Sequence, residues 1–217
     1  MSFGDITNVT TGEARLSYVH LFKPYAHNQG DKERFSCTIL IPKSDTATKA
    51  RIDAAIEAAK QKGISGKWNG VCPPIVQTPV HDGDGTRPSD GMPFGPECKG
   101  HWVFTANADI DYPPEVVDQN GNPMINQSEM YSGVYALVNV EFFPYMFGGK
   151  KGIGCSLGPV KKVRDGEALG GSAPTAAQAF GTPQPAQQQN AVSAQQGAAS
   201  AWNQPAGNIN PITGLPM

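Results

Sequence analysis

An alternating segment near the end of the charged part of the chain constrains the fold most. Between Ser132 and Phe143, aliphatic and aromatic residues occupy every second position: Val134, Ala136, Val138, Val140 and Phe142. This period of two predicts a β-strand with one face in a hydrophobic core. The opposite positions carry Tyr135, Phe143 and Tyr145. A face that only met water would rarely hold three aromatic rings, so this face needs a second explanation.

The predicted strand runs into a flexible basic turn, Gly148-Gly149-Lys150-Lys151-Gly152. The chain then returns through residues 153–163 toward Lys161, Lys162 and Arg164. This pattern predicts a β-hairpin with rings and mobile cations on one surface. Such a surface suits the flat faces and the phosphates of unpaired nucleic acid. The alternative is a hairpin whose rings are buried under a loop, and these residues alone favour neither.

Earlier segments predict further strands and one helix. Glu13–Phe22, Arg34–Ile41 and Gly100–Ala108 alternate or are rich in apolar residues, and Ile75–Val80 is a shorter candidate strand. A helix is expected from the capping residues around Asp45 to about Lys62, with an apolar stripe. The stripe comprises Ile52, Ala55, Ile56 and Ala59. The fold class is therefore mainly β, with an OB-type five-stranded barrel, one helix and long loops. A small sandwich with an added helix would give the same pattern.

Charge divides the chain of 217 residues into two parts. Arg164 is the last basic residue and Glu167 the last acidic one, and residues 168–217 are dominated by Ala, Gln, Gly, Pro, Asn and Ser. Such a segment has too little apolar surface to offset the chain entropy lost on folding. We therefore expect a domain over residues 1–167 and a disordered tail over residues 168–217.

The bulk composition limits the classes of function. The net charge of −2 counts against a protein that coats duplex DNA by its overall charge, but a local basic groove stays compatible with it. No apolar run has membrane-spanning length, and the amino terminus lacks the pattern of a signal peptide. These features predict a cytoplasmic protein with reduced cysteines and no membrane contact.

Metal and catalytic motifs are weak. Cys98 and His101 have the spacing of metal ligands, but Cys72 and His81 offer no matched pair, so no metal or other cofactor is expected. A nucleophile elbow, a Walker loop and a dinucleotide fingerprint are all missing from the sequence, and we expect no enzyme.

The strongest candidate site consists of aromatic rings that lie within a few residues of a lysine or arginine. Rings and cations recur together at the end of the first strand, after the helix and along the hairpin. Bases would stack on the rings and the cations would neutralise phosphates. Burial in the core is the alternative for each ring. The predicted nucleic-acid-binding residues are Phe22, Lys23, Tyr25, Arg34, Lys67, Trp68, Tyr135, Phe143, Tyr145, Phe147, Lys150 and Lys151. Trp102 and Phe104 are assigned to the core.

Several segments carry a family resemblance. They are Tyr131–Gly171, with its Phe-Phe-Pro-Tyr and Gly-Lys-Lys-Gly runs, His81–Asp84, Lys99–Trp102 and Pro114–Val117. With them the chain resembles the phage-encoded OB-fold single-stranded DNA-binding proteins over most of residues 1–170. The resemblance implies a barrel that binds unpaired DNA with little sequence preference during phage replication, recombination or repair. It also implies phage replication or recombination proteins as further partners and the host cytoplasm as the location.

The chain departs from this family in its tail. Many members end in acidic residues that recruit partners, whereas this chain ends in Gly-Leu-Pro-Met, which puts recruitment by tail charge in doubt. A homodimer is left open. Two alternatives remain beside DNA binding: a phage structural or decoration protein whose aromatic face packs on another subunit, and a zinc-dependent nucleic-acid factor.

Overall fold

The structure is a computed structural model that describes residues 6–26 and 30–170. Its strands are β1 (Asn8–Thr10), β2 (Ala14–Tyr25), β3 (Arg34–Pro42), β4 (His81–Asp82), β5 (His101–Asp109), β6 (Val116–Val117), β7 (Tyr135–Phe147) and β8 (Lys150–Arg164). Helix α1 spans Thr46–Ser65, and two short 3-10 turns lie at Pro96–Cys98 and Gln127–Glu129.

Five strands close into a barrel, in the order β2-β3-β5-β8-β7 and back to β2. Neighbouring strands of this ring are antiparallel except β5 and β8, which meet in parallel at Asn107 and Ser156. The short strands β1, β4 and β6 extend the ring at β7, β5 and β8. The predicted five-stranded OB-type barrel is confirmed, and the closed ring excludes the sandwich alternative.

The core lies where the alternation predicts it. Val134 and the four alternating apolar positions of β7 from Ala136 to Phe142 are all buried, and the ring of Phe142 lies 6.2 Å from that of Phe104. Helix α1 begins at its predicted cap, since Asp45 accepts a hydrogen bond of 3.0 Å from the backbone N–H of Thr48. Its apolar stripe is buried as predicted, so α1 packs on the barrel through this face.

The short strand predicted at Ile75–Val80 is wrong. Only Gln77 makes a bridge, to Gly152 of β8, and Ile75 is 81% exposed. Pro73, Pro74 and Pro79 lack the backbone N–H that a strand ladder requires, which explains the irregular path.

The packed structure continues past the last charged residue. Leu169 packs against a second apolar cluster of Leu40, Cys98 and Val103, and its N–H donates to the carbonyl of Ser132 at 2.7 Å. The contacts of the domain therefore continue two residues beyond the predicted boundary at 167. Beyond residue 170, the predicted tail lies outside the described residues.

Among the described residues, no helix combines the length and apolar character needed to cross a membrane. All four cysteines are free thiols, and three of them, Cys37, Cys98 and Cys155, are buried. Burial raises the pKa of the Cys37 thiol to about 12, so this group behaves as part of the core.

Candidate nucleic-acid interface

A groove of about 660 Å³ lies on the outer face of β2, β3 and β5. Small polar side chains line it along two strands: Ser36 and Thr38 on β3, Thr105 and Asn107 on β5. The hydroxyls of Thr38 and Thr105 lie 3.0 Å apart and hydrogen-bond each other across the strands. Because these side chains are short, they leave a shallow floor on which a flat group can lie.

Aromatic side chains from β2 line the same groove. The ring of Tyr25 stacks on that of His20, with centroids 4.5 Å apart and planes 8° from parallel. Tyr25 is half exposed, so its ring stays open to a ligand on the side away from His20. Burial lowers the pKa of His20, which favours the neutral imidazole in this stack.

Tyr18 is held in the groove by an irregularity in β2. Its φ of 48° lies in the left-handed region, and the register of β2 against β3 shifts between Ser17 and His20. The N–H of Val19 donates to the hydroxyl of Ser132 at 3.3 Å at this point. A left-handed tyrosine costs on the order of 1 kcal/mol, and such strain clusters at functional sites. Tyr18 is 68% exposed.

Three cations line the groove: Lys32, Arg34 and Arg87. Lys32 pairs with Asp109 at 2.7 Å, and this hydrogen bond lowers the pKa of the Asp109 carboxyl. Arg87 pairs with Asp90 at 2.8 Å. Arg34 is exposed, and within residues 6–26 and 30–170 its guanidinium makes no hydrogen bond or ion pair. Arg34 is thus the groove cation most open to an anion.

A second cluster lies on the β7–β8 hairpin, and we call it the hairpin patch: Phe143, Tyr145, Phe147 and Lys150. Phe147 is 84% and Phe143 38% exposed. The hairpin turns through Gly148 and Gly149, whose φ values of 55° and 78° favour glycine. Two glycines of β8 let the rings lie close to the strand.

Gly154 and Gly152 are these two glycines. A Cβ on Gly154 would lie 2.5 Å from the Phe143 ring, and one on Gly152 would lie 2.6 Å from the Tyr145 hydroxyl. Any larger residue at either position would push the ring away from the strand. The hairpin patch is therefore shaped by the glycines of β8 as well as by the aromatics of β7.

One loop, residues 83–95, contributes to the groove and to a recess beside the hairpin patch. Arg87 lines the groove, whereas the next residue, Pro88, lines a small recess that also contains Tyr145 and Gln77. This loop therefore borders the groove through Arg87 and lies near Tyr145 of the hairpin patch through Pro88.

Comparison with known proteins places this chain in a family. Residues 7–192 match the family described as Enterobacter phage Enc34, ssDNA-binding protein. The chain belongs to this family. The family resemblance inferred from the sequence is thereby confirmed.

Relatives agree in sequence and in fold. Putative protein p50 of Acyrthosiphon pisum secondary endosymbiont phage 1 is 29% identical over 178 residues, which are 79% of this chain and 91% of that protein. The single-stranded DNA-binding protein from bacteriophage Enc34 in complex with ssDNA is 27% identical, with a TM-score of 0.64. That match covers 76% of this chain and 90% of the Enc34 chain. The structure of the Enc34 protein described without DNA is 26% identical, with a TM-score of 0.62, over 80% of this chain and 90% of that chain.

The prediction that Trp68 is an exposed stacking ring is wrong. Trp68 is fully buried, and its indole N–H donates to the carbonyl of Tyr145 at 3.0 Å. The indole lies against Gly63 in the last turn of α1, where a Cβ would be 2.7 Å from the ring. The loop after the helix therefore folds back and places its indole in the core. Gly63, five residues before Trp68, is the one sequence signal of this packing.

Lys151 is engaged by the same loop. Its ammonium donates to the carbonyls of Trp68 and Val71, each at 3.0 Å. The prediction of a freely mobile Lys151 is therefore wrong. Lys150 and Lys67 are exposed.

Two further predicted rings are covered. Tyr135 lies under the guanidinium of Arg164, 3.5 Å from the ring centroid, and Arg15 lies 5.9 Å away. Arg164 is itself paired with Glu13 at 2.7 Å. Phe22 is partly buried against the core. Neither ring lines the groove or belongs to the hairpin patch, whereas Lys23, two residues before Tyr25, is exposed.

Four aromatic or cationic residues of the groove escaped the sequence analysis: Tyr18, His20, Lys32 and Arg87. No periodic pattern marks Tyr18, because the irregularity of β2 places it. His20 could have been found as the ring that precedes Tyr25 on the same strand. Arg87 comes from a loop more than fifty residues along the chain, and only the folded barrel brings it to the groove.

The cysteine and histidine motif has a different environment from a zinc site. Nδ1 of His101 lies 2.7 Å from the carbonyl of Lys99, and burial raises the pKa of Cys98 to about 11. In the part of the chain that the structure describes, no three His, Cys, Asp or Glu side chains come close enough together to hold a metal ion.

Proposed function

We propose that this protein binds single-stranded DNA in the groove of β2, β3 and β5. The observation that carries the proposal is the exposed ring of Tyr25, stacked on His20 in a groove that Arg34 also lines. A base would stack on Tyr25 and a phosphate would pair with Arg34. The Enc34 relative of the same fold was solved in complex with ssDNA, which supports this ligand.

Stacking provides affinity without sequence preference. Each base stacked on an aromatic ring contributes about 1–3 kcal/mol, and every base has a flat face to offer. His20 lies beneath Tyr25 and limits the motion of its ring, so less side-chain entropy is lost on binding. Tyr18 supplies a second ring in the groove. Two such contacts outweigh the slight repulsion expected from a net charge of −2.

The hairpin patch extends the proposed path. A strand that leaves the groove past Arg87 would cross the loop 83–95 and reach Tyr145, whose neighbours at alternate positions of β7 are Phe143 on one side and Phe147 on the other. Lys150 would neutralise a phosphate there, and the exposed Lys23 and Lys67 would add further positive charge.

We place this activity in phage DNA replication, recombination or repair, in the cytoplasm of the host cell. The protein would protect unpaired strands and perform no catalysis, and phage replication or recombination proteins would be its partners. As part of the same proposal, the packed domain ends near residue 170, and two copies of the protein can pair as a homodimer. The exposed rings of the hairpin patch also suit a structural protein that packs on another subunit, but family membership favours DNA.

The test is a titration of fluorescently labelled oligo-dT with the full chain at low salt. Tyr25→Leu should weaken binding by about 5–150-fold, the range that corresponds to one lost stack. Tyr25→Phe keeps the ring and should bind nearly as the unaltered protein does. Arg34→Ala should weaken binding and flatten its salt dependence, whereas Lys60→Ala on α1 should do neither. Failure of the unaltered protein to bind would support the structural alternative.

A further inference from the structure

Two of the three groove cations already have an anionic partner. Lys32 is bonded to Asp109, and Arg87 is bonded to Asp90. Both pairs are partly exposed: the lysine and arginine side chains are 58% and 46% accessible, and the carboxylates 33% and 45%. A phosphate can therefore reach either cation, but only in competition with a carboxylate.

The Arg87 pair is fixed by the fold of its loop. The N–H of Arg87 donates to the carbonyl of Met92, and the N–H of Gly91 donates to that of Arg87. Asp90 is oriented by the N–H of Met92, which donates to its Oδ1 at 3.1 Å. These three bonds keep the carboxylate next to the guanidinium. The backbone of the loop therefore holds the two side chains of this ion pair close together.

The Lys32 pair is fixed by the sheet. Asp109 is the last residue of β5 and lies opposite Arg34 in the register of β3 and β5. Its carboxylate therefore stands at the end of the groove where Lys32 and Arg34 both lie. The lowered pKa of Asp109 keeps it ionised at neutral pH.

We propose that Asp109 and Asp90 are affinity-limiting residues, which hold Lys32 and Arg87 away from the DNA backbone and so keep binding weak enough to reverse. This inference rests on the proposed function of the groove. A bound phosphate displaces each carboxylate from its cation, and the displaced carboxylate then repels the same phosphate. Most of the affinity for DNA then comes from stacking on Tyr25 and from the contact of a phosphate with Arg34.

The test compares Asp109→Asn and Asp90→Asn with Asp53→Asn in the full chain. Asp53 pairs with Lys49 on the surface of α1 at 2.6 Å, so its substitution makes the same change of charge away from the groove. Asparagine keeps the Oδ1 acceptor that orients residue 90. Affinity for oligo-dT is measured over a range of salt concentrations, and thermal unfolding confirms that each variant is folded.

Each groove variant should bind oligo-dT about 1.5–5-fold more tightly than Asp53→Asn, which is the range expected for an exposed ion pair. The slope of the logarithm of the binding constant against the logarithm of the salt concentration should become steeper by up to about 0.7 for each freed cation. Binding no tighter than that of Asp53→Asn, in both groove variants, would overturn the inference. If the groove variants bind no more tightly but the unaltered protein binds oligo-dT, the proposed function stands and only this inference fails. If the unaltered protein does not bind oligo-dT, both the proposed function and this inference fail.

Discussion

At the scale of single residues, Trp68 has the most consequences for the proposed binding surface. Its indole N–H reaches the carbonyl of Tyr145, and Lys151 bonds the carbonyls of Trp68 and Val71. Three hydrogen bonds thus tie the loop after α1 to the β7–β8 hairpin. The buried ring therefore holds the backbone of the hairpin patch in place from the core side, and it is not itself exposed to a ligand.

We therefore predict that Trp68→Ala lowers the free energy of unfolding by about 3–5 kcal/mol, the cost of removing a large buried aromatic side chain. Trp68→Phe should cost less, because it keeps most of the packing and loses the indole N–H. Urea unfolding measures both. A Trp68→Ala protein of unchanged stability that bound oligo-dT more weakly would instead make this ring a DNA contact.

At the scale of elements, the β7–β8 hairpin would extend the proposed DNA-binding surface beyond the groove. Its contribution depends on the length of the strand, because a short oligonucleotide can occupy the groove alone. Phe147 is the most exposed ring of the hairpin, and Lys150 is an exposed cation at its tip.

The double variant Phe147→Ala, Lys150→Ala should weaken the binding of long oligo-dT. Its affinity for the shortest oligonucleotide that the unaltered protein binds should not change. The reason is that only a long strand reaches from the groove past Arg87 to the hairpin. Fluorescence anisotropy with a series of oligonucleotide lengths measures the difference. Met146→Ala, which removes another exposed side chain of the hairpin, is the control. An equal loss at every length would contradict the proposed path.

Elements were predictable from the sequence where periodicity or capping specified them. The alternation of β7 located its core face, and Asp45 with the stripe of α1 located the helix. The groove was not predictable in this way. It draws on three strands and a distant loop, and the position of Tyr18 depends on an irregular register that no local pattern encodes. The exposure of a ring was also hard to predict, because Trp68 and Tyr25 each lie within two residues of a lysine in the sequence, yet one is buried and the other half exposed.

At the scale of the whole molecule, the end of the packed domain is held by several separate contacts. Arg15 donates to the carbonyl of Glu167 at 2.7 Å, and the Tyr131 hydroxyl donates to that of Gly166 at 2.8 Å. Leu169 covers Leu40 and Val103 on the outside of the barrel. Residues 165–170 therefore belong to the domain, although they contain no strand or helix.

Truncation of the chain should reveal this boundary. A protein ending at Gly170 should unfold at the same denaturant concentration as the full chain, since every contact described above is kept. One ending at Arg164 should lose up to about 1.5 kcal/mol of stability from Leu169 alone, because its side chain is only partly buried and full burial of a leucine contributes about 1.5–3 kcal/mol. Because residues 171–217 carry no charge, the protein ending at Gly170 should bind oligo-dT within about twofold of the full chain. A large gain or loss of affinity would show that the tail acts on the groove.

The most direct test is a crystal structure of the protein with a bound dT oligonucleotide. We predict a base stacked on the ring of Tyr25, on the side away from His20, and a phosphate within hydrogen-bonding distance of Arg34. A strand bound on the surface of α1, or one that contacts the hairpin patch while the groove stays empty, would contradict the account.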